Sequence, residues 1–431
     1  MNYCPNTGHE ISGMLSDIGI GSIEELFSRI PGDIRTKKFE IPAGKTEPEV
    51  LNLLKKYAGQ NAINLHSFLG GGAYDHYIPA AVDSLAGRSE FSTAYTPYQG
   101  ECSQGTLQAL FEYQTAMCSI TGMDVSNASL YDGASALSEA ALMAIRATGR
   151  SVIRIDNGVN PFYSRVLKTY LHGRPVTNDM KPDKDTAALI VQNPDFFGNI
   201  RDYSKLSHDA HQAGALLIMS VYPVSLGILK KPSEMDADIA TGDGQSLGIP
   251  LSFGGPSFGF ITSKKGLIRN IPGRIVGETT DRNGVRGYVL TLQAREQHIR
   301  RQKATSNICS NQSLCALRAV IFLSLLGKEG FRELAELNYS KSEFLKGLVT
   351  NIKDVKIFNS SPTFNEFTIE LPAGAEAVEK KMREKGYLAG LPLGKLYPDN
   401  PGMGKMLLTA VTENRTREEM EGFAACLEES L

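Results

Sequence analysis

The chain reads as an α/β protein: a mostly parallel sheet covered by helices on both faces, followed by a smaller α/β domain and preceded by a helical segment. Three observations lead there. Short apolar runs recur through the middle, "SVIRI" (151–155), "TAALIVQ" (186–192), "GALLIMSV" (214–221), "ADIATG" and "FGFITS", separated by helical stretches such as "DYSKLSHDAHQA". That alternation is what parallel strands buried on both sides require. A turn at Asp132-Gly133 feeds a long helical stretch ending near Thr148. Beyond about Gly327 the pattern changes to a long polar helix ("GFRELAELNYSKSEFLKGLV"), strands near "NEFTIEL" and "KMLLTAV", and helices "GAEAVEKKMREKG" and "REEMEGFAACLEE". The expected divisions are a helical segment over 1–61, a large domain over 62–326 and a small one over 327–431.

In the first segment, Ser22-Ile-Glu-Glu25 and Thr46-Glu-Pro-Glu49 each place a carboxylate three residues after a hydroxyl cap, and Leu51, Leu53 and Leu54 follow at helical spacing. These helices should pack through one face. Next comes "FLGGGAYDHYIP" (68–79), whose glycines Gly70 to Gly72 fit a turn and do not fit a dinucleotide fingerprint. No internal repeat or low-complexity tract interrupts the chain.

Composition narrows the partners. With 431 residues, 42% of them hydrophobic, the chain can bury a large core. Its 45 Lys and Arg against 47 Asp and Glu leave a formal charge of −2, so no global field draws it to nucleic acid or an anionic membrane. Six cysteines (Cys4, Cys102, Cys118, Cys309, Cys315, Cys426) form no C-x-x-C pair, and no apolar leader or bilayer-length run occurs. The expectation is a reduced, cytoplasmic protein with no structural metal. His66, His76, His208 and His211 show no metal-ligand spacing, and the last two fit a surface pair on a polar helix.

A large α/β domain with a smaller one behind it is the layout of the aminotransferase-like (type I) enzymes that use pyridoxal phosphate (PLP), so each group that cofactor needs can be sought. Its phosphate wants a small-residue turn at a helix N-terminus. Asp132-Gly133-Ala134-Ser135 has that shape. Its pyridine nitrogen wants a carboxylate at the end of a central strand, but the strand over 214–221 runs into Tyr222, and no acid occurs between Asp209 and Glu234. Its aldehyde wants a lysine about one strand later. None occurs between Lys231 and Lys264, and the flanking pairs Lys230-Lys231 and Lys264-Lys265 read as solvated turn residues with ordinary high pKa values. In "GDGQSLGIPLSFGGPSFGF" (242–260) the loop has the shape of a lysine-bearing loop, with Gln245 where the amine should be.

Two long runs carry a resemblance. "AREQHIRRQKATSNICSNQ" (Ala294 to Gln312) and "AYTPYQGECSQGTLQALFEYQT" (Ala94 to Thr115), with "EISGMLSDIGIGSIEELFSRIP" and "LGGGAYDHYIP", closely resemble the glycine decarboxylase, or P-protein, family of the glycine cleavage system, and more narrowly the alpha half of the form split between two genes. The resemblance implies a PLP lysine on a beta partner of the same fold, in a loop like 244–256. It implies an alpha2beta2 enzyme that decarboxylates glycine and passes the aminomethyl group to the lipoyl arm of the H-protein. This chain would be the half without the Schiff base, with no catalytic residue of its own.

Contributions at the subunit interface are then expected from Tyr95, Pro97 and Tyr98, and from His298, Arg301, Lys303, Thr305, Ser306 and Asn307. By themselves the first three fit a turn carrying two tyrosines, and the rest fit a solvated basic helix face. Gly70 to Gly72 with Tyr74, His76 and Tyr77 would line a shared cleft, and Asp132 to Ser135 would be a relic cup that shapes a helix start. Two alternatives stay open: a purely architectural subunit that stabilises beta or docks the H-protein, and an independent PLP enzyme.

Overall fold

The computed structural model describes residues 5–36, 38, 40–308 and 311–431. Cys4 and Cys309 therefore lie outside the described residues. Cys102, Cys118, Cys315 and Cys426 are free thiols. By compactness the chain divides into Met1–Ile63 and Asn64–Leu431.

The first unit is made of short, well-capped helices. Glu49 accepts from the Thr46 N–H and hydroxyl, both at 2.7 Å, at the start of the helix Glu47–Ala58. Thr7 and Glu10 cap Gly8–Asp17 in the same way. Ser22 instead opens one 3₁₀ turn, Ile23–Phe27, because Glu25 folds back onto the Ser22 hydroxyl and the Gly21 N–H. None of these helices buries a residue, and Leu51, Leu54 and Tyr57 are exposed.

In the second unit the apolar runs become a seven-stranded sheet. Its order is Val125–Ser126, Gly259–Ser263, Ile239–Asp243, Leu216–Val221, Thr186–Asn193, Val152–Ile155, Val176–Thr177. The four pairings from Ile239–Asp243 to Val176–Thr177 are parallel, and Gly259–Ser263 runs against both its neighbours. Side chains alternate between two cores. Leu189 and Val191 face the layer holding Gln104–Thr121 and the long helix Ser313–Thr350, whereas Ala188 and Ile190 face Gly133–Thr148. Burial on both faces is why these strands are apolar at successive positions.

The small domain is a four-stranded antiparallel sheet, Lys356–Ile357, Glu366–Glu370, Met406–Ala410, Leu391–Pro392, backed by Ala375–Glu384 and Arg417–Ser430. Gly327, at φ 61° and ψ −171°, breaks the long helix that leads into it. Besides the two-residue strands, the sequence reading lacks the hairpin of Ile275–Thr280 and Arg286–Thr291, whose strands turn polar outward from "IVG". Among the described residues no helix is long and apolar enough to cross a membrane.

The sheet approaches the helix Gly133–Thr148 so closely at Gly259 that a Cβ there would lie 2.0 Å from the Asp132 carbonyl oxygen and 3.1 Å from Ala136. Backbone cannot yield as a side chain can. Gly259→Ala should therefore cost about 3 kcal/mol in urea unfolding, the upper end for overpacking. A loss under about 1 kcal/mol would show that the two elements slide apart freely.

Candidate functional site

The three positions at which the cofactor groups were sought come together where the parallel strands end, in front of the first turn of Gly133–Thr148. Asp132 caps that helix, accepting from the Ser135 N–H at 2.8 Å. Gly133 is the helix's first residue, and its N–H, one of the orphan donors an anion would use, is given to the Asp243 carboxylate at 3.0 Å. Asp243 also accepts from the Gln245 N–H at 2.9 Å and from the Ser257 hydroxyl. Burial raises its pKa, against the lowering effect of those three donors. The cup over Asp132, Gly133, Ala134 and Ser135 is thus filled by an internal carboxylate.

Gln245 is fastened with equal completeness. Its Oε1 accepts from the Tyr74 N–H at 2.9 Å, and its Nε2 donates to the Tyr74 carbonyl at 3.1 Å and the Ile249 carbonyl at 2.8 Å. The amide pairs with Tyr74 as one strand residue pairs with another, so it pins the Gly70–Tyr77 segment to the loop after Ile239–Asp243. It is 6% exposed. A lysine could not reproduce this, having three donors and no acceptor.

A second set of buried groups joins the same segment to the small sheet. Glu366, first residue of Glu366–Glu370, accepts from the Gly71 N–H at 2.6 Å and the Tyr74 hydroxyl at 2.8 Å. Burial pushes its carboxyl up to about 7 despite those bonds, with Asp195 adding to the rise. His76 lies between the Tyr222 hydroxyl and Glu413, whose Oε2 is 2.9 Å from Nδ1. Glu413 further accepts from the Tyr77 N–H at 2.6 Å and Asn338 at 3.0 Å. Burial would raise the Glu413 pKa, but the bonds to His76, Tyr77 and Asn338 leave it lowered. Burial raises Tyr74, Tyr163 and Tyr222 well above 10.

Between these groups lies a cavity of about 30 Å³, bordered by Tyr74, Tyr163, Tyr222, Asp195, Asp243 and Glu366. That is room for two or three water molecules and not for a substituted pyridine with its phosphate. With no lysine, no acid at the end of Leu216–Val221 and the cup already filled, the residues present do not fit pyridoxal phosphate. The flanking lysines lie away from the cavity, Lys230 and Lys265 exposed as their sequence implies, and three of the four are engaged with other partners. Lys230 pairs with Asp202 at 3.0 Å, Lys231 donates to the Ser119 carbonyl at 2.7 Å, and Lys264 pairs with Asp236 and Asp238 at 2.7 and 2.8 Å. His211 is also no simple surface residue: it binds Asp238 at 2.7 Å and Asp236 at 3.2 Å, and Asp238 in turn accepts from the Leu217 N–H. Among the described residues no group of three His, Cys, Asp or Glu is placed to hold a metal ion.

The residues expected at an interface gather apart from this cavity and share no lining residue with it. Tyr98 stands 5.2 Å from the His298 ring, with the Arg274 guanidinium 5.5 Å from its own ring and 3.4 Å from its hydroxyl. Arg274 reaches Asn311 at 2.9 Å, and Asn311 donates to the Ala128 carbonyl at 2.7 Å. Pro97 is buried, and Tyr95 is 85% exposed beside Leu314. Arg301, Lys303 and Asn307 are exposed. Thr305 is half-buried, its N–H bonded to the Arg295 carbonyl at 3.0 Å. The Ser306 hydroxyl accepts from the Ile308 N–H at 3.2 Å and bonds Glu139. Arg295, which opens the basic run, holds the Ile271 and Gly273 carbonyls. Asp243 and Glu366 were missed. An acid closing an apolar strand, or opening one, was the available signal.

A family model described as "Glycine cleavage system P-protein" matches residues 1–427. A probable glycine dehydrogenase (decarboxylating) subunit 1 of Geotalea uraniireducens is 56% identical over 446 residues, covering 100% of each chain. The crystal structure of a glycine decarboxylase (P-protein) in inhibitor-bound form superposes with a TM-score of 0.90 at 42% identity, again over 100% of both chains. A Lactobacillus brevis glutamate decarboxylase shares the fold at 12% identity, TM-score 0.65, over 94% of this chain and 97% of that one.

Folded Glu366 keeps its proton to about pH 7, whereas an ordinary glutamate releases it near 4.5. Between these values the unfolded chain binds fewer protons, so the stability this group contributes is complete below the lower value and is lost as pH rises through the upper. The loss should approach roughly 3 kcal/mol. Urea unfolding of wild type and Glu366→Gln from pH 5 to 8 checks it: the wild type should decline relative to the variant, and parallel curves would refute the assignment.

Proposed function

The chain belongs to the glycine cleavage system P-protein family, and on that premise we propose that it is the non-Schiff-base subunit of a glycine dehydrogenase (decarboxylating). A beta partner of the same fold holds pyridoxal phosphate on a lysine. The assembled enzyme decarboxylates glycine and passes the aminomethyl group to the lipoyl arm of the H-protein. The observation that carries this reading is the Gln245 amide, locked by three hydrogen bonds at the place where the amine is required. The chemistry that PLP supplies, electron withdrawal from a bound amino acid, is therefore assigned to the partner.

What this chain brings is a surface. Tyr95, Phe253, Val285, Ile299 and Leu314 are 85, 99, 62, 57 and 49% exposed, large apolar side chains that contact with a partner would cover. Ser252, Phe253, Gly254 and Gly255 all have positive φ, at 41, 56, 111 and 143°, so the loop holds Phe253 outward against backbone strain. We assign these residues to the contact with beta, in an alpha2beta2 assembly. Tyr98 is backed by Arg274 and His298, which fix its ring and leave its hydroxyl polarised beside a guanidinium. In the assembly this hydroxyl acts at the edge of the partner's cofactor site. Pro97 and Thr305 set the backbone that carries the cluster, while Arg301, Lys303, Ser306 and Asn307 border it.

Two measurements test this. Expressed alone, the chain should be colourless and inactive. Co-expressed with beta, the complex should show the cofactor's visible band and release labelled carbon dioxide from carboxyl-labelled glycine. A borohydride-reducible band on the chain alone would refute the assignment. Within the complex, Tyr98→Phe should lower decarboxylation at least tenfold with assembly intact, the scale of one lost charge-assisted hydrogen bond. Unchanged turnover would favour the architectural reading.

A further inference from the structure

The sequence holds two Asn-Gly pairs, Asn157-Gly158 and Asn283-Gly284. Asparagine is a thermolabile residue, and most so before glycine, which has no Cβ to keep its own nitrogen from closing on the preceding side chain. For that ring to form, the fold must release the glycine N–H, leave the backbone room to turn and admit water. The first pair is denied all but the last. Gly158 is buried, its N–H held by the Asp156 carboxylate at 2.7 Å and its carbonyl by the Phe196 N–H at 2.7 Å. A Cβ at Gly158 would lie 2.9 Å from the Asp156 Oδ1 and 2.9 Å from the Asp195 Cβ, so the backbone there has no space to turn.

The second pair stands at the tip of the hairpin Ile275–Thr280 and Arg286–Thr291. The Asp281 N–H closes the loop onto the Val285 carbonyl at 2.8 Å, and Gly284 takes φ 80°, the left-handed position that such hairpin loops give to glycine. Nothing lies within 4 Å of where a Gly284 Cβ would be. Every residue from 278 to 286 is exposed, and the hairpin pairs with no third strand among the described residues. The Asp281 carboxylate takes the Asn283 and Val285 N–H groups, both at 2.8 Å, and the Gly284 N–H has the Asp281 carbonyl at 3.1 Å. That single bond, at the end of an exposed two-stranded ribbon, opens by local fraying at small cost.

We propose that Asn283 is a site of spontaneous deamidation in the folded chain, with water as the co-reactant, and that Asn157 is protected from it. The Gly284 nitrogen gives its proton to hydroxide and attacks the Asn283 Cγ. The new C–N bond closes a succinimide, the Cγ–Nδ2 bond breaks, and ammonia leaves with a proton taken from water, which returns the hydroxide. Water then opens the ring at either carbonyl, giving aspartate or isoaspartate. Either product places a negative charge beside Asp281, and isoaspartate also adds a methylene to the main chain at the turn. The change falls next to Val285, one of the exposed residues given above to the contact with beta, so a chain that ages before assembly alters that face. The site itself rests on the hairpin and not on the subunit assignment.

The test needs only the wild-type chain, aged at pH 7 and pH 8 in buffer and, as the reference, in denaturing urea. Peptide mapping by mass spectrometry reads at each asparagine the mass gained when the amide NH2 becomes OH, and chromatography separates aspartate from isoaspartate. In urea both pairs should convert at similar rates. In the folded chain Asn283 should stay within about tenfold of its urea rate, whereas Asn157 should fall at least about a hundredfold below its own, the spread that local opening allows between a frayed tip and a buried turn. Conversion at Asn283 should be faster at pH 8 than at pH 7, as proton removal by hydroxide requires. Asn157 converting as fast as Asn283 in the folded chain, Asn283 silent there while it converts in urea, or a rate indifferent to pH would each overturn the proposal.

Discussion

The structure turns on the pairing of one side-chain amide with one backbone. Gln245 gives Tyr74 a carbonyl for its N–H and an N–H for its carbonyl, and so draws the Gly70–Tyr77 segment against the strand ends. Everything else at the site follows from that position. With Tyr74 held there, its hydroxyl meets Glu366 and the neighbouring Gly71 N–H meets the same carboxylate. His76 two residues on is carried between Tyr222 and Glu413. A segment without regular structure becomes the seam between two sheets because the Gly71 and Tyr77 N–H groups, the Tyr74 backbone and hydroxyl and the His76 ring all find partners on other elements.

The same constraint sets the limits of chemistry in this chain. A reactive site needs a nucleophile with freedom to reach its substrate and a pocket that admits one. Here the residue in the nucleophile's place has three of its hydrogen-bonding positions taken by backbone, and the remaining space holds a few waters. The polar groups at the strand ends serve cohesion. The features suited to meeting another molecule, the exposed Tyr95 and Phe253 and the braced Tyr98, belong to a different set of loops. The buried polar network and the exposed aromatic side chains thus belong to two different regions of the chain.

How much of this was legible follows from the range of the interactions. The five apolar runs became strands because burial on both faces writes itself into consecutive residues, and the capping of Glu47–Ala58 is a matter of three residues. The missing lysine is likewise a local fact. The hairpin Ile275–Thr280 with Arg286–Thr291 escaped because its outer half is polar and it covers one face only. Asp243 and Glu366 escaped for another reason: their partners Gly133 and Gly71 lie 110 and 295 residues away in sequence. An acid at a strand end is neutral information until the fold shows which donors face it. His211 is the same case, its two aspartates coming from the far side of a strand crossover.

Asp243 and Gln245 close the site jointly, and their coupling explains why neither would suffice. A lysine at 245 would restore an amine, yet the helix N–H that should receive a phosphate would still point at the Asp243 carboxylate, and a dianion brought beside that charge would be repelled at short range in a poorly screened interior. Freeing Gly133 by removing the carboxylate would still leave an amide, bonded to the Tyr74 backbone, and no amine at 245. The two residues share a strand end, and the Gln245 N–H donates to Asp243, so each also steadies the other. The closed state is therefore a cooperative feature of the Asp243–Gln245 turn rather than the loss of one side chain, which is why the fold can keep the outline of a cofactor enzyme while its interior is committed to packing.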